Sequence, residues 1–208
     1  MTKGQLDVNH PSHPLGKIVR DGDGTTSLRY ERQLAGSPQR VWRALTDSDQ
    51  LRHWMPCDIV GRRETGAQVA APFWDDVVAK YGIEDTVLTG RIVTWDPSST
   101  FAWEWDDELL TFRLEPTPTG TQLSLIVQLG DKSPEVHQTA AGYHMCLDQL
   151  CDLVDSDAPH ASSTPTQARS RRSTPNRRVD RPAISQRVQP RLVAVYLLRD
   201  LPLAHGRL

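Results

Sequence analysis

The chain has 208 residues, enough for one domain of ordinary size with an excess left over. Its net charge of −2 conceals an asymmetry: residues 1–155 carry 14 Lys/Arg against 23 Asp/Glu, whereas residues 156–208 carry 10 Arg, no Lys and 3 Asp. No apolar run approaches the roughly 20 residues that cross a bilayer, and the polar start MTKGQLDVNHPSHP lacks a signal-peptide core, so a cytoplasmic protein is expected.

Residues 1–14 read as a polar, flexible leader in which His10 and His13 are bystanders rather than metal ligands. GKIVRDGDGTTSLRYERQL then reads as a hairpin: Ile18 and Val19 enter an Asp-Gly-Asp-Gly turn, and Leu28, Tyr30, Arg32 and Leu34 alternate on the way out. The turn is too short for a calcium loop and lacks the later glutamate. Ser37-Pro38 marks a helix start, a capping hydroxyl followed by proline in the first turn, with Val41, Trp42, Ala44 and Leu45 on the apolar side. A second short turn follows, with Leu51 and Trp54 facing in.

From residue 58 the pattern is that of strands. Candidates are 58–64, 68–74, 86–95, 100–105, 108–115 and 121–129, with a loop or short helix over 75–85. Phe101, Trp103 and Trp105 share one face, as do Leu110, Phe112 and Leu114, and as do Leu123, Leu125, Val127 and Leu129. Short turns at Asp96-Pro97, Asp106-Asp107 and 116–120 imply an antiparallel meander.

Residues 133–155 form the one long amphipathic helix. Its predicted stripe is Val136, Ala140, Tyr143, Leu147, Leu150, Cys151 and Val154, with His137, His144, Asp148 and Asp152 at or beyond its border. Ser133 can cap it, with Pro134 and Glu135 in its first turn. A stripe of that size needs a broad apolar partner, which the strands supply. Residues 156–208, rich in Arg, Pro, Ser and Thr, cannot bury enough surface to fold alone and read as a disordered tail. The abrupt change of composition there also matches a shifted reading frame.

The stretches YERQL…SPQRVWRALTDSDQLRHW (30–54), LTGRIVTWDPSSTFAWEW (88–105), LTFRLEPTPTGTQLSLIVQL (110–129) and AAGYHMCLDQLCDLV (140–154) resemble the START-like (SRPBCC) superfamily. Within it they resemble the family named for the activator of the heat-shock-protein-90 ATPase. The family often has Gly-Trp where this chain has Gly142-Tyr143, and a His where it has Gln128. The resemblance covers roughly residues 15–155. It implies an α+β helix-grip fold, a curved antiparallel sheet wrapped around a long C-terminal helix, with two short helices after the first strand.

The same resemblance implies a cavity between sheet and helix that takes a small hydrophobic or amphipathic ligand, or a chaperone-type protein partner, or a cyclase/aromatase-type reaction. The candidate lining is Trp54, Phe73, Trp103, Phe112, Leu125, Tyr143 and Leu147, with the Tyr143 hydroxyl available to orient a guest; ordinary core packing is the competing reading. A base with an orienting carboxylate, as acid–base catalysis requires, is conceivable in His144 and Asp148, but their border position favours solvated polar residues. No nucleophile elbow occurs. The cysteines Cys57, Cys146 and Cys151 have no CxxC spacing, so neither a disulfide framework nor a zinc site is expected, and the last two read as packing residues. The pairs Asp75-Asp76 and Asp106-Asp107 read as charged turns rather than glycosidase carboxylates. The tail arginines, including Arg169, Arg171, Arg172, Arg177, Arg178 and Arg181, lack stacking aromatics, so no specific nucleic acid is expected. No catalytic residue, metal or cofactor is assigned, and a monomer or homodimer is expected.

Overall fold

The structure, a computed structural model, describes residues 13–20, 22, 24–105, 107–130 and 136–156. The expected tail, most of the leader, the Asp21 and Asp23 turn residues, Asp106 and the helix-capping residues Ser133, Pro134 and Glu135 lie outside them. The chain runs β1 (Lys17–Arg20), β2 (Thr26–Leu34), α1 (Pro38–Thr46), α2 (Ser48–Leu51), β3 (Val60–Gly61), β4 (Gln68–Pro72) and α3 (Asp75–Tyr81). It continues through β5 (Val87–Asp96), β6 (Thr100–Trp105), β7 (Glu108–Thr117), β8 (Gly120–Leu129) and α4 (Val136–Ser156).

All strand pairs are antiparallel and form a sheet in the order β1-β2-β8-β7-β6-β5-β4-β3. Strict alternation drives this arrangement. Along β2 and β8 every second side chain is buried, so each strand turns one apolar face inward. Register then lines those side chains up across strands: Leu28, Val127, Leu110, Trp103 and Ile92 make one inward row. The next row runs Tyr30, Leu125, Phe112 and Phe101. Gly120 sits at φ 149°, and a Cβ there would run into the Leu34 carbonyl, so only glycine suits the tight β7–β8 return.

The α1 start is built as the Ser-Pro pair predicts, with Ser37 Oγ accepting from the Arg40 backbone N–H at 3.3 Å. Val41, Trp42, Ala44 and Leu45 are buried from that helix, and Leu51 and Trp54 follow them inward. The helix-grip α+β architecture is therefore present, with α4 against β2 and α1.

Two expectations are corrected. The strand over 58–64 shrinks to two residues. Asp58 turns its carboxylate onto Ile59 N and the Ser48 hydroxyl, and Gly61 at φ 151° lets the chain leave the edge. The buried face of α4 is also rolled in its first half. Thr139, Gly142 and Cys146 are fully buried there, while Val136, Ala140 and Tyr143 are half-buried at the flank. Small side chains at the contact allow the helix to approach closely, and the Tyr30 hydroxyl reaches the Ala140 carbonyl at 2.7 Å.

Candidate functional site

Among the described residues, two charged side chains are buried: Arg32 at 2% and Glu108 at 8% exposure. Both lie in phase with the inward faces of their strands, and each meets α4 at a different place.

Glu108 begins β7, directly opposite Trp105 across the β6–β7 hairpin. Tyr143 of α4 donates its hydroxyl to Glu108 Oε2 at 2.5 Å. Burial, then the Glu108 charge and that hydrogen bond, push the Tyr143 phenol well above its ordinary value, so it stays a donor. Tyr30 is pushed up by burial as well, against a smaller opposing pull from Arg32. Burial raises the Cys146 thiol to about 12, so it too keeps its proton. Thr139, Tyr143 and Cys146 follow one another at four- and three-residue spacing and therefore share a helix face.

Among the described residues, the buried Trp105 Nε1 and Thr139 Oγ1 have no hydrogen-bond partner. Where the β6–β7 hairpin and the first turns of α4 meet, the interior is thus polar. Nearby on the sheet, Trp103 and Trp105 have ring centroids 5.4 Å apart, and Phe73 lies 6.1 Å from Trp105.

The seven predicted lining residues come together in one apolar cluster, with Tyr143 packed against its edge. Trp54 meets Phe112 edge-on at 6.2 Å, and its indole N–H is committed to the Ala44 carbonyl at 2.8 Å. Phe73 meets Trp105, Trp103 stacks on Phe101, Leu125 lies between Tyr30 and Phe112, and Leu147 is fully buried. Sequence reasoning missed Glu108, Trp105, Thr139 and Tyr30 as polar contributors. The signal for Glu108 was present: it falls two residues before Leu110 and four before Phe112, on their face.

His144 and Asp148 lie at the border of the solvated face, as expected, their side chains 22% and 39% exposed, and there they meet Arg32. Arg32 Nη2 donates to His144 Nδ1 at 2.8 Å and lies 3.5 Å from Asp148 Oδ1. A guanidinium has no acceptor, so Nδ1 accepts, and the ring proton belongs on Nε2, which faces Asp148 Oδ2 at 3.3 Å. Arg32 Nη1 also donates to the carbonyls of Pro14 and Glu31, each at 2.9 Å. Both ring nitrogens of His144 are engaged. His137, by contrast, is exposed.

Elsewhere, a hollow of about 140 Å³ at α1 and α2 is lined by Arg40, Arg43, Asp47 and Gln50. There Arg40 is tied to Gln50 and to the Leu153 carbonyl. Among the described residues no group of three or more His, Cys, Asp or Glu side chains is placed to hold a metal ion. No helix among them is long and apolar enough to cross a membrane.

Several solved structures share the fold. A Mesorhizobium loti protein is 23% identical over 63% of this chain and 98% of its own, with a TM-score of 0.51. A conserved protein of unknown function from Enterococcus faecalis is 23% identical over 71% of this chain and 80% of its own, with a TM-score of 0.56. A Rhodobacter sphaeroides protein is 21% identical over 68% and 95%, with a TM-score of 0.51. No curated protein matches the chain. The family model described as "Activator of Hsp90 ATPase homolog 1-like protein" matches residues 35–155, more than half of the chain. The chain therefore belongs to the activator of Hsp90 ATPase homolog 1-like family, within the SRPBCC superfamily.

Proposed function

We propose that residues 15–155 form a small-molecule binding module, a cup that receives a hydrophobic or amphipathic guest between sheet and α4. The carrying observation is the buried carboxylate of Glu108, held by Tyr143 at 2.5 Å on a face that is otherwise almost wholly apolar. Interior polar groups of this kind cost free energy unless a partner meets them. Among the described residues Trp105 Nε1 and Thr139 Oγ1 have no such partner, and a ligand's polar end would supply one. Trp54, Phe73, Trp103, Phe112, Leu125 and Leu147 furnish the apolar wall. Cys57, Cys146 and Cys151 are free and buried, which agrees with a cytoplasmic setting.

Tryptophan fluorescence titration and native mass spectrometry of the full chain test the reading, using lipids, polyketides and aromatic metabolites as probes. Saturable quenching with a matching single-ligand adduct is expected. Absence of both across the set would overturn it.

The family's description names an activator of the Hsp90 ATPase, and a co-chaperone role is the second reading. An ATPase assay with the cell's own Hsp90 separates the two: stimulation that Glu108→Gln leaves intact belongs to an outer surface, not to the cup. The cyclase/aromatase reading gains nothing from His144 and Asp148, because the imidazole lone pair is already taken by Arg32.

A further inference from the structure

We propose that the joint between α1 and α2 is a second binding site, for a small zwitterion of the α-amino acid kind, its carboxylate on Arg43 and its ammonium group on Asp47. The site is separate from the cup and stands or falls without it.

One short stretch of chain builds the joint. Arg40 and Arg43 stand three apart on α1, outside its buried set of Val41, Trp42, Ala44, Leu45 and Thr46. The helix ends at Thr46, and Asp47 leaves the helical conformation, at φ −87° and ψ 129°, before α2 begins at Ser48. On an unbroken helix Arg43 and Asp47, four apart, would be neighbours able to pair. The kink separates them. No ion pair joins the two, and both line the hollow of about 140 Å³ together with Arg40 and Gln50.

The two exposed charges of this lining are unspent. Among the described residues, the Arg43 guanidinium and the Asp47 carboxylate make no hydrogen bond or ion pair. Asp47 precedes α2, where an aspartate ordinarily caps the helix, yet its side chain makes no capping hydrogen bond. Arg63 feels the Asp47 charge only through space, its Nη2 being given to the Ile59 carbonyl.

The half-buried part of the lining is held firm. Arg40 donates to Gln50 Oε1 at 2.7 Å and to the Leu153 carbonyl at 3.0 Å. Gln50 thereby keeps its amide NH2 as a donor. Size then narrows the ligand. At about 30 Å³ per water, the hollow equals roughly five waters, far below the ~300–1,000 Å³ of drug-sized pockets, so a nucleotide or lipid is too large. A simple anion would be repelled by Asp47, and a simple cation by the arginines. A molecule carrying both charges gains a charge-assisted contact from each.

The test titrates glycine, acetate and methylamine separately into the isotope-labelled full chain at neutral pH and low salt, followed by NMR at the Arg43 Nε–H and the Gln50 side-chain amide. Contacts this exposed are weak, so glycine should bind with a Kd of about a millimolar. Acetate and methylamine should each bind at least about ten-fold more weakly, the size of one charge-assisted contact. Asp47→Asn, in which asparagine suits the same position before α2, should bring glycine down to the level of acetate. Arg43→Gln should bring it down to the level of methylamine. Acetate binding as tightly as glycine would make this a plain anion site and overturn the proposal. So would glycine affinity that survives Asp47→Asn, or no saturable shift at Arg43 and Gln50.

Discussion

Arg32 on β2 and His144 on α4 are joined across the helix–sheet interface by a 2.8 Å hydrogen bond, with the guanidinium donating to the imidazole. The residues are far apart in sequence, and the bond fixes both the tautomer of the histidine and the height of the helix above the strand.

Removing the acceptor leaves one Nη2 donor of a buried cation short of its best partner. His144→Leu is expected to lower stability by about 1–3 kcal/mol, the cost of stranding a buried donor. His137→Leu, on the exposed side of the same helix, should stay within about 0.5 kcal/mol of wild type. Urea unfolding midpoints decide the matter. Equal midpoints for the two variants would mean the Arg32 contact contributes nothing.

Tyr143→Phe keeps the ring and deletes only the hydroxyl that meets Glu108. A hydrogen bond to a charged group is worth about 1.5–3 kcal/mol, and the unliganded chain should lose roughly that much by the same urea measurement. An unchanged midpoint would show that Glu108 is satisfied without Tyr143.

The thiols set an alkaline limit. Burial pushes Cys146 from 9.0 up to about 12 and does the same for Cys151, where Arg32 opposes it in part. The folded chain therefore holds these protons more tightly than the unfolded one. Their contribution is intact below about pH 9, the unfolded value, and is lost as pH rises toward about 12. Stability should fall across that window, and Cys146→Ala should flatten the fall. A slope identical in wild type and variant would refute the assignment. In the same experiment iodoacetamide should label these cysteines on unfolding and scarcely in the native chain.

Ser37→Ala removes the hydroxyl that accepts the Arg40 N–H at the start of α1 and should cost about 1 kcal/mol. A thermal melt indistinguishable from wild type would show that water caps that helix equally well.

Much of this was legible before any coordinates. The alternation of Leu28, Tyr30, Arg32 and Leu34 with every second residue buried, the Ser37-Pro38 start and the inward Phe101, Trp103 and Trp105 all follow from period-two and capping rules that act within a few residues. The candidate site was less legible. Arg32 and Glu108 already sat in phase with apolar neighbours, but phase alone does not say what a buried charge will meet. His144, which meets Arg32, and Tyr143, which meets Glu108, lie on a helix whose rotation was misjudged in its first half. That half turned because Thr139, Gly142 and Cys146 are small enough to let α4 settle on β2, a matter of shape rather than of hydrophobicity.

The antiparallel meander of the later strands, the short helices and the long amphipathic rod were determined by the sequence alone, because hydrophobic periodicity and local hydrogen bonding act along the chain, whereas the pairing of β2 with β8 was not. Which charged side chains end up under the rod, and which donors face them, was decided only in the tertiary structure. Burial energies are large but non-directional, whereas the meeting of Glu108 with Tyr143, or of Arg32 with His144, depends on the helix's roll and height to within an ångström or so.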